Sequence, residues 1–138
     1  MAKPQSERRL DVGVGVDVVD VARLARVVAL RGTALVDRVF TADELADCRG
    51  SVRLLAARLA AKEAAAKALG TGIGPIGWRD VEVRVGGRGE PELRLSGAAQ
   101  DAACDRGLDR WAVSLTHDPT HAVAVVVATG TSRIEALP

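Results

Sequence analysis

The sequence predicts an α+β chain: a small antiparallel sheet packed with a long central helix and several shorter helices. Three observations predict it. Apolar residues alternate with period two in several short stretches, an alanine-rich run of helix formers lies among them, and the two kinds of segment show no regular βαβ alternation. At 138 residues the chain is the size of one domain. Its core must be built from Ala, Val and Leu, because it has no Tyr, one Phe and two Trp.

Residues 1–10 are polar and basic and read as a flexible tail; the domain is expected over 11–128. In the stretch 11–18, Val12, Val14, Val16 and Val18 share one face of a strand, while Gly13, Gly15 and Asp17 share the other. Asp20 can cap a helix whose turns are marked by Leu24, Val27, Val28 and Arg31. Thr41 and Glu44 have capping-box spacing and open a short helix to about residue 49. The strongest helix runs from about Ser51 to Leu69, rich in alanine and stopped by Gly70. After a glycine-rich loop, Val81–Val85 and Leu93–Leu95 form a hairpin around a turn at 86–91. A third helix begins at Ser96 or Gly97 and ends near Gly107. Strands at 111–116 and 122–128 close the domain, and 129–138 has no periodicity and reads as a tail.

The formal charge is +1, from 19 basic and 18 acidic residues, so no general attraction for nucleic acid or membrane follows. Residues 12–21 are apolar but too short, and too interrupted by Gly and Asp, to span a bilayer. Cys48 and Cys104 stand far apart, with no C-x-x-C pair. They read as buried hydrophobes or free thiols in a reducing compartment, which points to the cytoplasm.

Three places hold more than a fold needs. Asp17 ends a face of bare glycine, where a ligand or a second backbone can come close; it could also be a plain strand-end residue. On the long helix Arg58 and Lys62 share one side, and Glu63 and Lys67 an adjacent one. That pattern suits a solvated face with a Glu-to-Lys pair, or an anion site with one metal ligand. The run Gly70-Thr71-Gly72-Ile73-Gly74 can present backbone N–H groups to phosphate, but it follows a helix instead of opening one, so a helix stop explains it equally.

Together these segments resemble the holo-acyl-carrier-protein synthases, a family of phosphopantetheinyl transferases. The stretch from Gly15 through Asp17 and Arg23 to Leu24 resembles the family's early G-x-D-[IV]-x-[ED]-[IV]-x-R-[IL] motif. Arg58 to Lys67 resembles its R-x-x-x-K-E-A-x-x-K helix, Gly70–Gly72 follows in order, and Ser114-Leu115-Thr116-His117 is similar to its S-x-S-H strand.

The resemblance implies transfer of phosphopantetheine from coenzyme A to a serine of an acyl carrier protein, with Mg²⁺, and with adenosine 3′,5′-bisphosphate as the leaving group. It makes Asp17 and Glu63 the metal ligands, and places Arg58, Lys62 and Lys67 against coenzyme A phosphates. Gly70, Thr71, Gly72, Pro91, Ser114 and His117 would also contact coenzyme A. Asp17, Lys62 and Glu63 would be the catalytic set, with Glu63 or a metal-bound water taking the serine proton. Arg23 and Arg26 would meet an acidic helix of the carrier. It also implies a homotrimer with the site between subunits.

The sequence departs from the family pattern at Leu59 and Ala65, where aromatics are common, and at Glu90, where Lys or Arg is usual unless Arg88 substitutes. Thr116 replaces a serine, and Asp20 stands for a Glu. His117 and His121 could suggest zinc, but no third ligand is near in sequence. A metal-dependent phosphohydrolase and a non-catalytic relative that binds carrier protein or coenzyme A are the competing readings.

Overall fold

A computed structural model describes residues 7–133. Strand β1 (Arg8–Asp20) leads into α1 (Val21–Arg31), α2 (Thr33–Val39), α3 (Ala42–Cys48) and the long α4 (Val52–Leu69). A 3₁₀ turn (Trp78–Asp80) introduces the hairpin β2 (Val81–Val85) and β3 (Pro91–Leu95), followed by α5 (Gly97–Asp105), β4 (Arg110–His117) and β5 (His121–Arg133). The strands make two antiparallel sheets, one in the order β1-β5-β4 and one of β2-β3. The α+β class is as expected.

The caps explain the helix starts. Asp20 Oδ1 accepts from the Arg23 N–H at 2.9 Å, and Thr41 and Glu44 close a reciprocal capping box. Ser51 caps α4, and Gly70 ends it at φ 77, in the left-handed region that favours glycine.

The sequence reading missed α2, which Gly32 separates from α1 and which has no side-chain cap to announce it. It also set the sheet limits too narrowly. β1 begins at Arg8, and β5 runs on to Arg133, so 129–133 is paired strand and not tail. Register explains the extension: Thr129 faces Val12 and Arg133 faces Arg8, with the Ser132 hydroxyl donating to Asp11 at 2.9 Å. The rest of the two expected tails, 1–6 and 134–138, lies outside the described residues.

α4 lies across the inner face of β1 and β5. Gly13 and Gly15 sit under it so tightly that a Cβ on either would collide with the carbonyl oxygens of Ala68 and Ala64, respectively. The glycine face therefore receives a second backbone. Twelve of the 18 residues of α4 are buried, so it is a core helix wrapped on all sides. The other sheet face stays uncovered, with Leu10, Val12, Val14, Val16 and Val18 all exposed, and Val125 and Val127 beside them.

Candidate active site

The glycine seam brings Asp17 against α4 two residues beyond Gly15, on the same inner face of β1. There it meets Glu63 and Lys67, four residues apart on the helix. The Lys67 ammonium donates to Asp17 Oδ1 at 3.1 Å and to the Val16 carbonyl at 2.9 Å. Asp17 Oδ2 is buried and meets no N–H donor among the described residues; the Glu63 carboxyl beside it can share a proton with it. Burial first, then the hydrogen bond with Asp17 and the charge of that carboxylate, push the Glu63 carboxyl up to about 7, while Lys67 pulls the other way.

Two carboxylates with one lysine between them, and one oxygen left over, have room for a further cation. Hard carboxylate oxygens suit Mg²⁺, which needs only one or two from the protein when substrate phosphates supply others. Among the described residues no cluster of three or more His, Cys, Asp or Glu side chains gathers as a metal cage.

Beside Glu63, α1, α2 and α4 enclose a cavity of about 470 Å³. Leu24, Val36, Phe40 and Leu59 wall it, and Arg23 and Glu63 are polar groups on its lining. Sequence reasoning missed the contribution of α2 to this cavity along with the helix itself. The turn before β5 is tied to the start of α1: the Thr120 carbonyl accepts from the Val21 N–H at 2.9 Å. Asp118 braces that turn, its carboxyl lowered to about 2 by the N–H groups of His121 and Thr120.

Several expected site residues are elsewhere. Lys62 does not face phosphate: its side chain is fully buried and ion-paired with Glu44 at 2.7 Å. It also donates to the Val81 and Trp78 carbonyls at 2.6 and 3.1 Å. Glu44 in turn accepts from the Val83 and Thr41 N–H groups, so this ion pair joins α3, α4 and β2. Glu44 was foreseen only as a cap, because nothing in sequence links positions 44 and 62.

Arg58 is likewise 7 % exposed, with its Nε lacking an acceptor; it lies near Cys48, whose thiol burial raises to about 11. The N–H groups of Gly70, Thr71 and Gly72 are committed to the Ala66 and Lys67 carbonyls, so the loop closes a helix instead of presenting donors to phosphate. Pro91 starts β3 in the separate hairpin, paired with Val85. Glu90 closes that hairpin's turn by accepting from the Arg88 N–H at 2.8 Å, which accounts for an acid there.

Ser114 faces Val125 on the uncovered side of the sheet, away from Asp17 and Glu63 of its own chain. His117 is exposed at the end of β4 opposite buried Ala122, whereas His121 pairs with Asp20, so the two histidines do not share a face. Arg23 and Arg26 stand exposed on α1, Arg23 at the cavity and Arg26 close enough to help lower the Asp20 carboxyl, after the Arg23 N–H and the His121 charge.

This α+β architecture, with a metal-competent carboxylate pair beside an apolar cavity, is that of a phosphopantetheinyl transferase. The profile of the 4′-phosphopantetheinyl transferase superfamily matches residues 13–126, and the chain belongs to that family. Within it, the chain is 51% identical over 119 residues to a holo-[acyl-carrier-protein] synthase of Frankia casuarinae, covering 85% of this chain and 96% of that one. It is 46% identical over 123 residues to the Herpetosiphon aurantiacus protein of the same name, covering 84% and 97%. The crystal structure of the Helicobacter pylori holo-[acyl-carrier-protein] synthase in complex with coenzyme A superposes with a TM-score of 0.77 at 28% identity, covering 83% of this chain and 98% of that one. The Neisseria meningitidis enzyme gives 0.76 at 34% identity, covering 84% and 96%.

Proposed function

We propose that this protein transfers 4′-phosphopantetheine from coenzyme A to a serine of an apo acyl carrier protein. The observation that carries the reading is the Asp17–Glu63 pair, two adjoining carboxyls with only Lys67 as a cation against them, in a chain of this family. The serine Oγ attacks the β-phosphorus, the bond from that phosphorus to the bridging oxygen breaks, adenosine 3′,5′-bisphosphate leaves, and the serine proton passes to Glu63 or to a water of the site. Asp17 and Glu63 would hold Mg²⁺, which would neutralise charge on the diphosphate. Lys67, about half exposed, can reach a phosphate oxygen. The open, largely apolar cavity beside Glu63 offers one flank of the site to an apolar part of the substrate. Arg23 and Arg26 offer a basic surface to an acidic carrier helix.

We also propose that the protein assembles as a homotrimer through the uncovered sheet face. Seven exposed apolar side chains, from Leu10 on β1 to Val127 on β5, favour burial against further copies. Ser114 can meet phosphate only if a neighbouring copy shares its site, and sedimentation velocity reads the assembly directly. No helix among the described residues is long and apolar enough to cross a membrane. The free thiols Cys48 and Cys104 suit a reducing cytoplasm.

The deciding experiment is the intact mass of an apo acyl carrier protein after incubation with this protein, coenzyme A and Mg²⁺. A gain of one phosphopantetheine, abolished by EDTA, is the expected result. No gain with several carriers would leave a binding protein without transferase activity.

A further inference from the structure

Lys67 has the reach to stand free of the site, since its side chain is 54% exposed, yet its ammonium lies back on Asp17 Oδ1 and the Val16 carbonyl. Those two contacts use two of its three donors. A divalent ion on the same carboxylate, at about 2.1 Å from oxygen, would face that ammonium as a like charge. The pair is open to solvent on the lysine side only, with the Asp17 side chain 11% exposed, so it is the ammonium that is free to leave. The main-chain carbonyl of Val16 gives the ammonium a fixed resting place that does not depend on the Asp17 rotamer.

We propose that Lys67 is a latch on the cation site: it holds Asp17 while the site awaits a divalent ion, and lets go when the ion and the coenzyme A diphosphate bind. The released ammonium then has a phosphate oxygen as its new partner, so nucleotide and ion each favour the state that the other needs. The latch presupposes that Asp17 and Glu63 are the cation ligands. It adds that Lys67 opposes the ion before coenzyme A arrives and works with it afterwards.

Mn²⁺ binding to the full-length protein without nucleotide, followed by the electron paramagnetic resonance signal of free Mn²⁺, tests the latch. Lys67→Met should bind Mn²⁺ about tenfold more tightly than wild type, within the usual range of coupling between two ligands. Arg53→Gln removes an exposed charge from the first turn of α4, away from Asp17, and should change affinity less than about twofold, as an exposed and screened charge does. In the wild type, coenzyme A should tighten Mn²⁺ binding, and in Lys67→Met that gain should shrink. A wild type that binds Mn²⁺, with Lys67→Met no tighter than Arg53→Gln, would overturn the latch and leave the ligand assignment standing. A wild type that binds no Mn²⁺, with or without coenzyme A, would overturn the ligand assignment and the latch together.

Discussion

Two neighbouring residues of α4, Lys62 and Glu63, lead into opposite kinds of charged cluster. Lys62 enters a closed one: an ammonium and the Glu44 carboxylate, both fully buried, with carbonyls and N–H groups meeting most of what remains. Burial lowers the proton affinity of Lys62, and Glu44 offsets this only in part. Glu63 enters an open cluster of two carboxyls and one lysine, in which two acids share a single cation and one proton between them. The first cluster is complete without a ligand, and the second is not. What separates a structural ion pair from a site is therefore the account of donors and acceptors, since burial alone would have chosen the wrong one of the two.

Removing members of each cluster should break the contrast in different ways. Asp17→Ala and Glu63→Ala should each lower transfer at least about 10²–10³-fold, as loss of a group stabilising transition-state charge does, with folding intact by circular dichroism. A single one retaining full activity in the carrier-mass assay would dissolve the open cluster as a site. Lys62→Met should instead destabilise the fold by about 3–5 kcal/mol in urea titration, because Glu44 is left buried and uncompensated. Adding Glu44→Gln should recover part of that loss.

A smaller effect separates the clusters by pH. Glu63 in the folded chain titrates at about 7 against an ordinary 4.5, so folding favours its protonated form. That contribution is complete below about pH 4.5 and is lost as pH rises through about 7. In EDTA at pH 8, Glu63→Gln, which mimics the protonated form, should therefore be more stable than wild type by about 1–2 kcal/mol after allowance for solvent screening. The difference should vanish near pH 5. Smallest of all, Arg23→Ala should raise KM for the carrier about 2–5-fold, the scale of one exposed charge pair, and leave coenzyme A binding unchanged.

Local chemistry made much of this legible in advance. Asp20, the Thr41–Glu44 box and Gly70 each announce a helix end through groups within four residues, and the structure has all three. Asp17 was legible because it follows glycines in a strand. The side of α4 on which Lys62 would lie was not. Eight of the 18 residues of α4 are alanine, which packs inside or out alike and does not set the helix's rotation, so the shared side of Arg58 and Lys62 could be read as solvent or ligand when it is core. The extra length of β5 escaped because its last residues are polar, and only the pairing of Ser132 with Asp11 accounts for them. Ser114 was placed by motif, which gives position along a strand but not the face of the sheet on which the residue lies.

The contact of Gly13 and Gly15 with the carbonyls of Ala68 and Ala64 bears on how the site can come apart. Main chain rests on main chain there, with no side chain between to swing aside and admit water. Amide hydrogens of β1 around Gly15, and of α4 around Ala64, should accordingly exchange with deuterium only through global unfolding, while the solvent-facing turns of α1 exchange by local fraying. The carboxylate pair then persists at its working separation for as long as the protein is folded at all, so heat or denaturant should end cation binding and tertiary structure in one transition.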